Sequence, residues 1–208
     1  MGVKDQSVGN FLESLAAASP TPGGGSASAL AGALSAALSR MVAGLAVGKS
    51  GYESVQADLT RIEGRARALQ SRLLQLVEDD SKAYDAVVAA MRRPKATEAE
   101  KSARVEAMQS AYRKATEVPV ETIERCVEAL QVAEEAAAKG NRSASADAGV
   151  ATILADAAIR GASLNCRVNL AAIRDERFRE TTEARLAELL RRAQEVGSRA
   201  MALVESRL

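Results

Sequence analysis

Four groups of residues in this chain carry types and spacings that could do chemistry. Asp79 and Asp80 fall on a stretch whose apolar residues step by three or four, and Tyr84 follows Asp80 by one helical turn. A carboxylate on a face destined for burial costs on the order of several kcal/mol unless it has a partner or a purpose. Burial would also raise its pKa, as suits a general base. The alternative is that Asp80 faces a solvent groove or pairs with a lysine or arginine; Asp79 reads as surface charge. The run Pro22-Gly23-Gly24-Gly25-Ser26 could open a helix. Its glycines admit a ligand close to the backbone, and free amides at a helix start attract anions. Alternatively it is a tight loop with Ser26 as helix cap. No Gly-Lys-Ser/Thr follows, so it is not a Walker loop.

Arg93-Pro94-Lys95 forms the third group, in which the proline could fix where Lys95 points. In a site without histidine, lysine is the natural cationic partner and proton donor; the alternative is a solvated basic loop. The fourth runs from Gly140 and Asn141 to Asp147 and continues to Asn165 and Asn169. Asp147 suits the first turn of a helix, where a carboxylate is favoured. Asp147 and Asn165 are 18 residues apart, five helical turns, so they share a helix face with Asn169.

The elements that must position these groups read as helices throughout. The prolines at 20, 22, 94 and 119 punctuate the chain. The first helix is expected over Ser7 to Ala18 with Ser7 as cap, and the second over Ser26 to Val47. Leu30, Leu34, Leu38, Met41 and Leu45 form the second helix's apolar stripe, with Ala, Gly and Ser elsewhere, the pattern of a central, surrounded helix. A third spans Tyr52 to Arg92, with Asp80 on the stripe that includes Leu59, Leu73 and Val87. A fourth opens with the capping box Thr97 and Glu100 and carries Val105, Met108, Tyr112 and Ala115 on its apolar stripe. Pro119 is expected to start a fifth helix that ends at Lys139. The sixth and seventh cover Ser145 to Ile173 and Glu176 to Ser206. The fold class is all-α, a single up-and-down bundle of long helices over residues 1–208.

Composition narrows the chemistry. Of 208 residues 44 are Ala and 2% are aromatic, which favours helix over sheet. With 28 basic and 27 acidic residues the net charge is +1, against a nucleic-acid or anionic-membrane partner. The absence of histidine excludes an imidazole base, a Ser-His-Asp triad and an HExxH zinc site. Cys126 and Cys166 cannot build a four-thiolate metal site and read as free buried thiols of a reducing cytosol. No targeting segment is visible, so a cytoplasmic location is expected. Ala27 to Gly48 approaches transmembrane length, but Arg40 interrupts it and it reads as a buried helix.

Five segments, in order, resemble the cyclodeaminase/cyclohydrolase family of folate enzymes. Pro20-Thr21-Pro22-Gly23-Gly24-Gly25-Ser26 is similar to its signature, and Gly48-Lys49 to Tyr52 to its Gly-Lys-x-x-Tyr segment. Asp80 to Val87 resembles its Asp-x-x-Ala-Phe/Tyr-x-x-Val element, and Pro94-Lys95-Ala96-Thr97 its Pro-Lys-x-Thr loop. Gly140-Asn141 to Val150, then Gly161 and Asn165 to Leu170, is similar to its last motif. Two departures, Arg93 for the usual Leu and Arg142-Ser143 after Gly-Asn, bear on the pocket rim.

The resemblance implies a one-carbon enzyme acting on a tetrahydrofolate, with no metal and no cofactor beyond that substrate. Asp80, Lys95 and Asp147 are the implied catalytic set. Asp80 would stabilise the substrate cation and take a proton from water, and Lys95 would orient the intermediate or donate a proton. Asp147 with Asn165 or Asn169 would meet the pterin edge; Lys49 and Gly23, Gly24, Gly25 and Ser26 would hold the glutamate tail. Tyr84 and Asn141 complete the implied substrate site. A chain without a formiminotransferase domain points to hydrolysis of 5,10-methenyltetrahydrofolate to 10-formyltetrahydrofolate, ahead of deamination of 5-formiminotetrahydrofolate. A homodimer is implied, with the Ala/Gly faces of the second and sixth helices as its packing surfaces. The reading outside this family is a non-catalytic helical scaffold.

Overall fold

Pro119 does not end a helix. In the computed structural model, which describes residues 6–208, one helix of 42 residues runs straight through it. The expected fourth and fifth helices are therefore a single element. An internal proline removes one backbone donor and crowds the carbonyl four residues before it, costing a helix about 3 kcal/mol. Tertiary packing tolerates it here, because Pro119 is buried between Ala115 and Ile123 on the inward face.

Six α-helices result among the described residues: α1 (Val8–Ala16), α2 (Gly24–Gly44), α3 (Gln56–Met91), α4 (Glu98–Lys139), α5 (Ser145–Ala171) and α6 (Glu176–Glu205). Short 3-10 turns at Glu53–Val55 and Arg142–Ala144 lead into α3 and α5. Local chemistry sets several ends. Ser7 accepts from the Asn10 amide, and the Thr97/Glu100 capping box is fully formed. Among the described residues there is no strand.

From α2 to α6 the helices alternate in direction. Ion pairs mark the register of α3 against α4: Asp58 with Lys139, Arg65 with Glu135, and Arg72 with Glu121. Leu59, Ile62, Leu73, Leu76, Ile123, Leu130 and Ile159 fill the centre and are fully buried. Cys126 and Cys166 are free and buried, and burial pushes the Cys126 thiol up to about 12.

α2 is turned the other way from the expectation. Its buried face is Ala29, Gly32, Ala33, Ala36, Ala43 and four serines. Leu34, Met41 and Leu45 point outward, at 49%, 40% and 50% exposure. The reason is steric. A Cβ on Gly32 would lie 2.5 Å from Cys126 Sγ, so α2 and α4 approach too closely for large side chains between them. By length and hydropathy α2 could also cross a membrane, but half of its apolar window is buried against the bundle.

Beyond the start of α2, α3 and α4 continue as a hairpin arm. Val87, Ala90, Ala111 and Ala115 give it a small apolar cluster of its own. Where this arm leaves the bundle, the chain leaves a hollow.

Candidate active site

The hollow is a cavity of about 330 Å³, within the usual range of small-molecule sites. Pro20, Thr21 and Gly23–Gly25 form one wall at the start of α2; Asp80, Ala83, Tyr84, Val87 and Met91 come from α3. Tyr112 and Ala115 of α4 and Asn165, Val168 and Asn169 of α5 close it. The Thr21–Pro22 peptide is cis.

Asp80 sits against the N-terminus of α2. The Ser26 hydroxyl donates to Asp80 Oδ2 at 2.8 Å, and the Ser26 backbone amide also bonds the carboxylate. The helix cap, Gly23, has no side chain to offer, so Asp80 caps α2 from the neighbouring helix. Ser26 is thus not the cap expected from the sequence; it lies inside α2, fully buried, also within 3.1 Å of the Val77 carbonyl and 3.3 Å of Ser81 Oγ. Burial pushes the Asp80 carboxyl above the ordinary aspartate value, and the two Ser26 bonds pull against that. Asp80 has no ion-pair partner among the described residues, whereas Asp79 is held by Arg72 at 3.0 Å.

Gly25 makes this geometry possible. A Cβ there would stand 2.0 Å from Asp80 Oδ1. Gly24 faces the Asn165 amide, 3.6 Å from the same hypothetical atom. Asn165 donates its amide to the Gly161 carbonyl at 3.0 Å, and Asn169 donates its amide to the Ala115 carbonyl at 2.8 Å. An amide NH2 spent on a backbone carbonyl leaves the side-chain oxygen as the remaining acceptor. The site is therefore rich in acceptors and lined by two phenols, Tyr84 and Tyr112.

The structure brings together Gly23, Gly24, Gly25, Ser26, Asp80, Tyr84, Asn165 and Asn169. It leaves four others out of this cavity. Lys95 is exposed on the loop beyond α3, four residues past Met91, the last cavity residue of that helix. Lys49 follows the far end of α2, about 32 Å of helix from the glycines. Asp147 and Asn165 share a face of α5 as expected, but five turns put them about 27 Å apart. Asn141, near Lys49, is spent on structure: it donates to the Leu45 carbonyl and accepts from the Ser143 amide. Sequence reasoning missed Tyr112, which reads as an apolar stripe residue. The available signal was its rarity, since only three tyrosines occur.

Comparison with known proteins follows the same lines. A methenyltetrahydrofolate cyclohydrolase of Methylorubrum extorquens is 39% identical over 98% of both chains. The formimidoyltransferase-cyclodeaminase of Gallus gallus is 31% identical over 99% of this chain, which spans only 38% of that longer protein. In three dimensions, a formiminotetrahydrofolate cyclodeaminase of Thermotoga maritima superposes with a TM-score of 0.89 at 28% identity, covering 98% of each chain. The formiminotransferase-cyclodeaminase family model matches residues 7–188, a span that contains every residue of the cavity, and the chain belongs to that family.

Proposed function

We infer that this protein hydrolyses 5,10-methenyltetrahydrofolate to 10-formyltetrahydrofolate. The observation that carries the reading is the end-to-end likeness to a cyclohydrolase at 39% identity, against 31% over a part of the bifunctional protein. The cavity suits the chemistry. The methenyl carbon belongs to a cationic amidinium, and Asp80 is a carboxylate without a cation of its own. Ionised, Asp80 stabilises the bound cation and takes a proton from the attacking water. The carbinolamine then loses its hydroxyl proton as the formyl C=O forms, the bond to N5 breaks, and N5 takes up a proton. One proton is released overall. The proton for N5 is assigned to Lys95, which lies on the loop beyond α3 and outside the cavity walls. The glycine wall lets the flat ring lie against backbone, and Asn165 and Asn169 accept from its amino and ring N–H groups.

A homodimer completes the reading. α2 and α5 pack side by side and turn Leu34, Met41, Leu45, Val150, Ile153, Leu164 and Val168 to the outside. This face replaces the Ala/Gly faces expected from the sequence, which are occupied inside the chain. A twofold axis across the middle of α2 sets the start of each α2 beside the end of its copy. Lys49 and Asp147 of the second copy then reach the Asp80 cavity, and the two sets of residues form one site.

The likeness to the Thermotoga cyclodeaminase supports a second reading, ammonia release from 5-formiminotetrahydrofolate. One assay separates the two. With purified protein, methenyl absorbance falls on hydrolysis of the methenyl substrate and rises on deamination of the formimino substrate. A rise with the second substrate and no accelerated fall with the first overturns the hydrolase reading.

A further inference from the structure

Pro119 lies inside α4, one turn beyond the cavity residue Ala115. A residue with an amide at 119 would donate it to the Ala115 carbonyl, four residues back, as every interior helix position does. Proline has none. The Ala115 carbonyl is instead taken by Asn169 Nδ2 of α5, at 2.8 Å. Both Ala115 and Asn169 line the cavity, and Pro119 does not.

We propose that Pro119 is a positioning residue for substrate recognition: by leaving the Ala115 carbonyl without a backbone donor, it recruits the Asn169 amide and so presents Asn169 Oδ1 to the cavity as an acceptor. A carboxamide can otherwise turn over and offer its NH2 instead, at little cost, because the two ends have the same shape. Only the NH2 end can satisfy a carbonyl, so the free Ala115 oxygen selects one orientation. The ligand edge it selects is a donor edge, an amino group or ring N–H next to a carbonyl, as on a 2-amino-4-oxo heterocycle. Asn165 is turned the same way by a different contact, its NH2 donating to the Gly161 carbonyl one turn back on its own helix, so the α5 wall offers two acceptors. The inference rests on the folate reading for the ligand's identity, but the Pro119–Asn169 relation does not.

The test is the variant Pro119→Ala, which restores a backbone amide. The helix should gain or hold its melting temperature, while KM for 5,10-methenyltetrahydrofolate rises about three- to ten-fold, the worth of one neutral hydrogen bond, with kcat unchanged. In an Asn169→Ala background, the same change at 119 should leave KM where Asn169→Ala has put it. The Asn169 side-chain NH2 signal in 15N NMR, assigned by its loss in Asn169→Ala, should be downfield and slow to exchange in the parent and lose both properties in Pro119→Ala. Should a void at 119 loosen α4, Pro119→Val refills it and restores the same amide. An unchanged amide signal, an unchanged KM, or an equal rise in KM in both backgrounds overturns the proposal. If the parent neither turns over nor binds folates, judged also by thermal shift with 5-formyltetrahydrofolate, the functional reading fails while the amide signal still decides the Pro119–Asn169 relation.

Discussion

The Asp80 carboxylate occupies the volume that a side chain at Gly25 would need, with Oδ1 2.0 Å from the position of that missing Cβ. The two residues lie on different helices, 55 positions apart, and each explains the other. Gly25→Ala should therefore displace Asp80 without harming α2, because alanine is the better helix former by about 1 kcal/mol. Turnover should fall about 100-fold, the scale of an ångström-sized misplacement of a reacting group, with circular dichroism unchanged. Wild-type turnover in Gly25→Ala would show that the position of Asp80 is immaterial.

The proposed role of Asp80 as the base carries a pH dependence. As a base it works ionised, so kcat/KM should fall as pH drops through its raised pKa. Ser26→Ala removes the hydroxyl that favours the ionised form, so the acid limb should move to higher pH. A limb that stays in place would detach Ser26 from Asp80.

Stability carries the opposite sign. Because the folded-state pKa of Asp80 is raised by burial, the folded state binds the proton more tightly than the unfolded chain does. That contribution is fully present below the unfolded value of 3.8 and is lost as pH rises through the folded one. Asp80→Asn should thus abolish turnover yet melt a few degrees higher than the parent at pH 7, with the advantage shrinking toward pH 4. Calorimetry at the two pH values checks both the sign and the trend.

The proposed shared-site dimer makes a prediction that a one-chain site cannot meet. Asp80→Asn and Asp147→Asn should each be inactive alone. Mixed and allowed to exchange, they form half heterodimers, each with one intact site, and about a quarter of parental activity should return. Leu34→Glu, on the exposed stripe, should reduce the apparent mass from about 44 kDa to that of the 21.8 kDa chain, and activity with it.

Tight packing of α2 on α4 can be probed separately. Gly32→Ala drives a methyl to within 2.5 Å of Cys126 Sγ in a region with no slack. It should cost about 1–3 kcal/mol by overpacking and lower the melting temperature without changing KM.

Much of this architecture could be read from residue order alone. Capping at Ser7 and at Thr97 with Glu100 is short-range chemistry, and the leucines of α3 announce a buried face by their spacing. What resisted reading was non-local. Pro119 looks like a break because the donor that compensates for it, Asn169, arrives from another helix 50 residues later. The leucine stripe of α2 looks like a core stripe because periodicity identifies a face without saying which way it turns; Gly32 and Cys126 decide that by their contact. Asp147 and Asn165 share a face, yet a face 27 residues long reaches both ends of the molecule. Tyr112 passed for core because an aromatic at helical spacing usually is. The glycine run and Asp80 were legible as candidates, but their mutual exclusion of volume exists only once α2 and α3 are side by side.

The α3–α4 arm is anchored by Val87, Ala90, Ala111 and Ala115, three of them alanines, apart from the large central core. So small a cluster contributes less buried apolar area than the central core, and local opening of the arm should require less free energy than melting the whole protein. Because Val87, Met91, Tyr112 and Ala115 of the arm line the cavity, such an opening would widen the cavity. The opposite wall, Gly25, Ser26 and Asp80, is held by contacts between α2 and α3 that do not involve the arm.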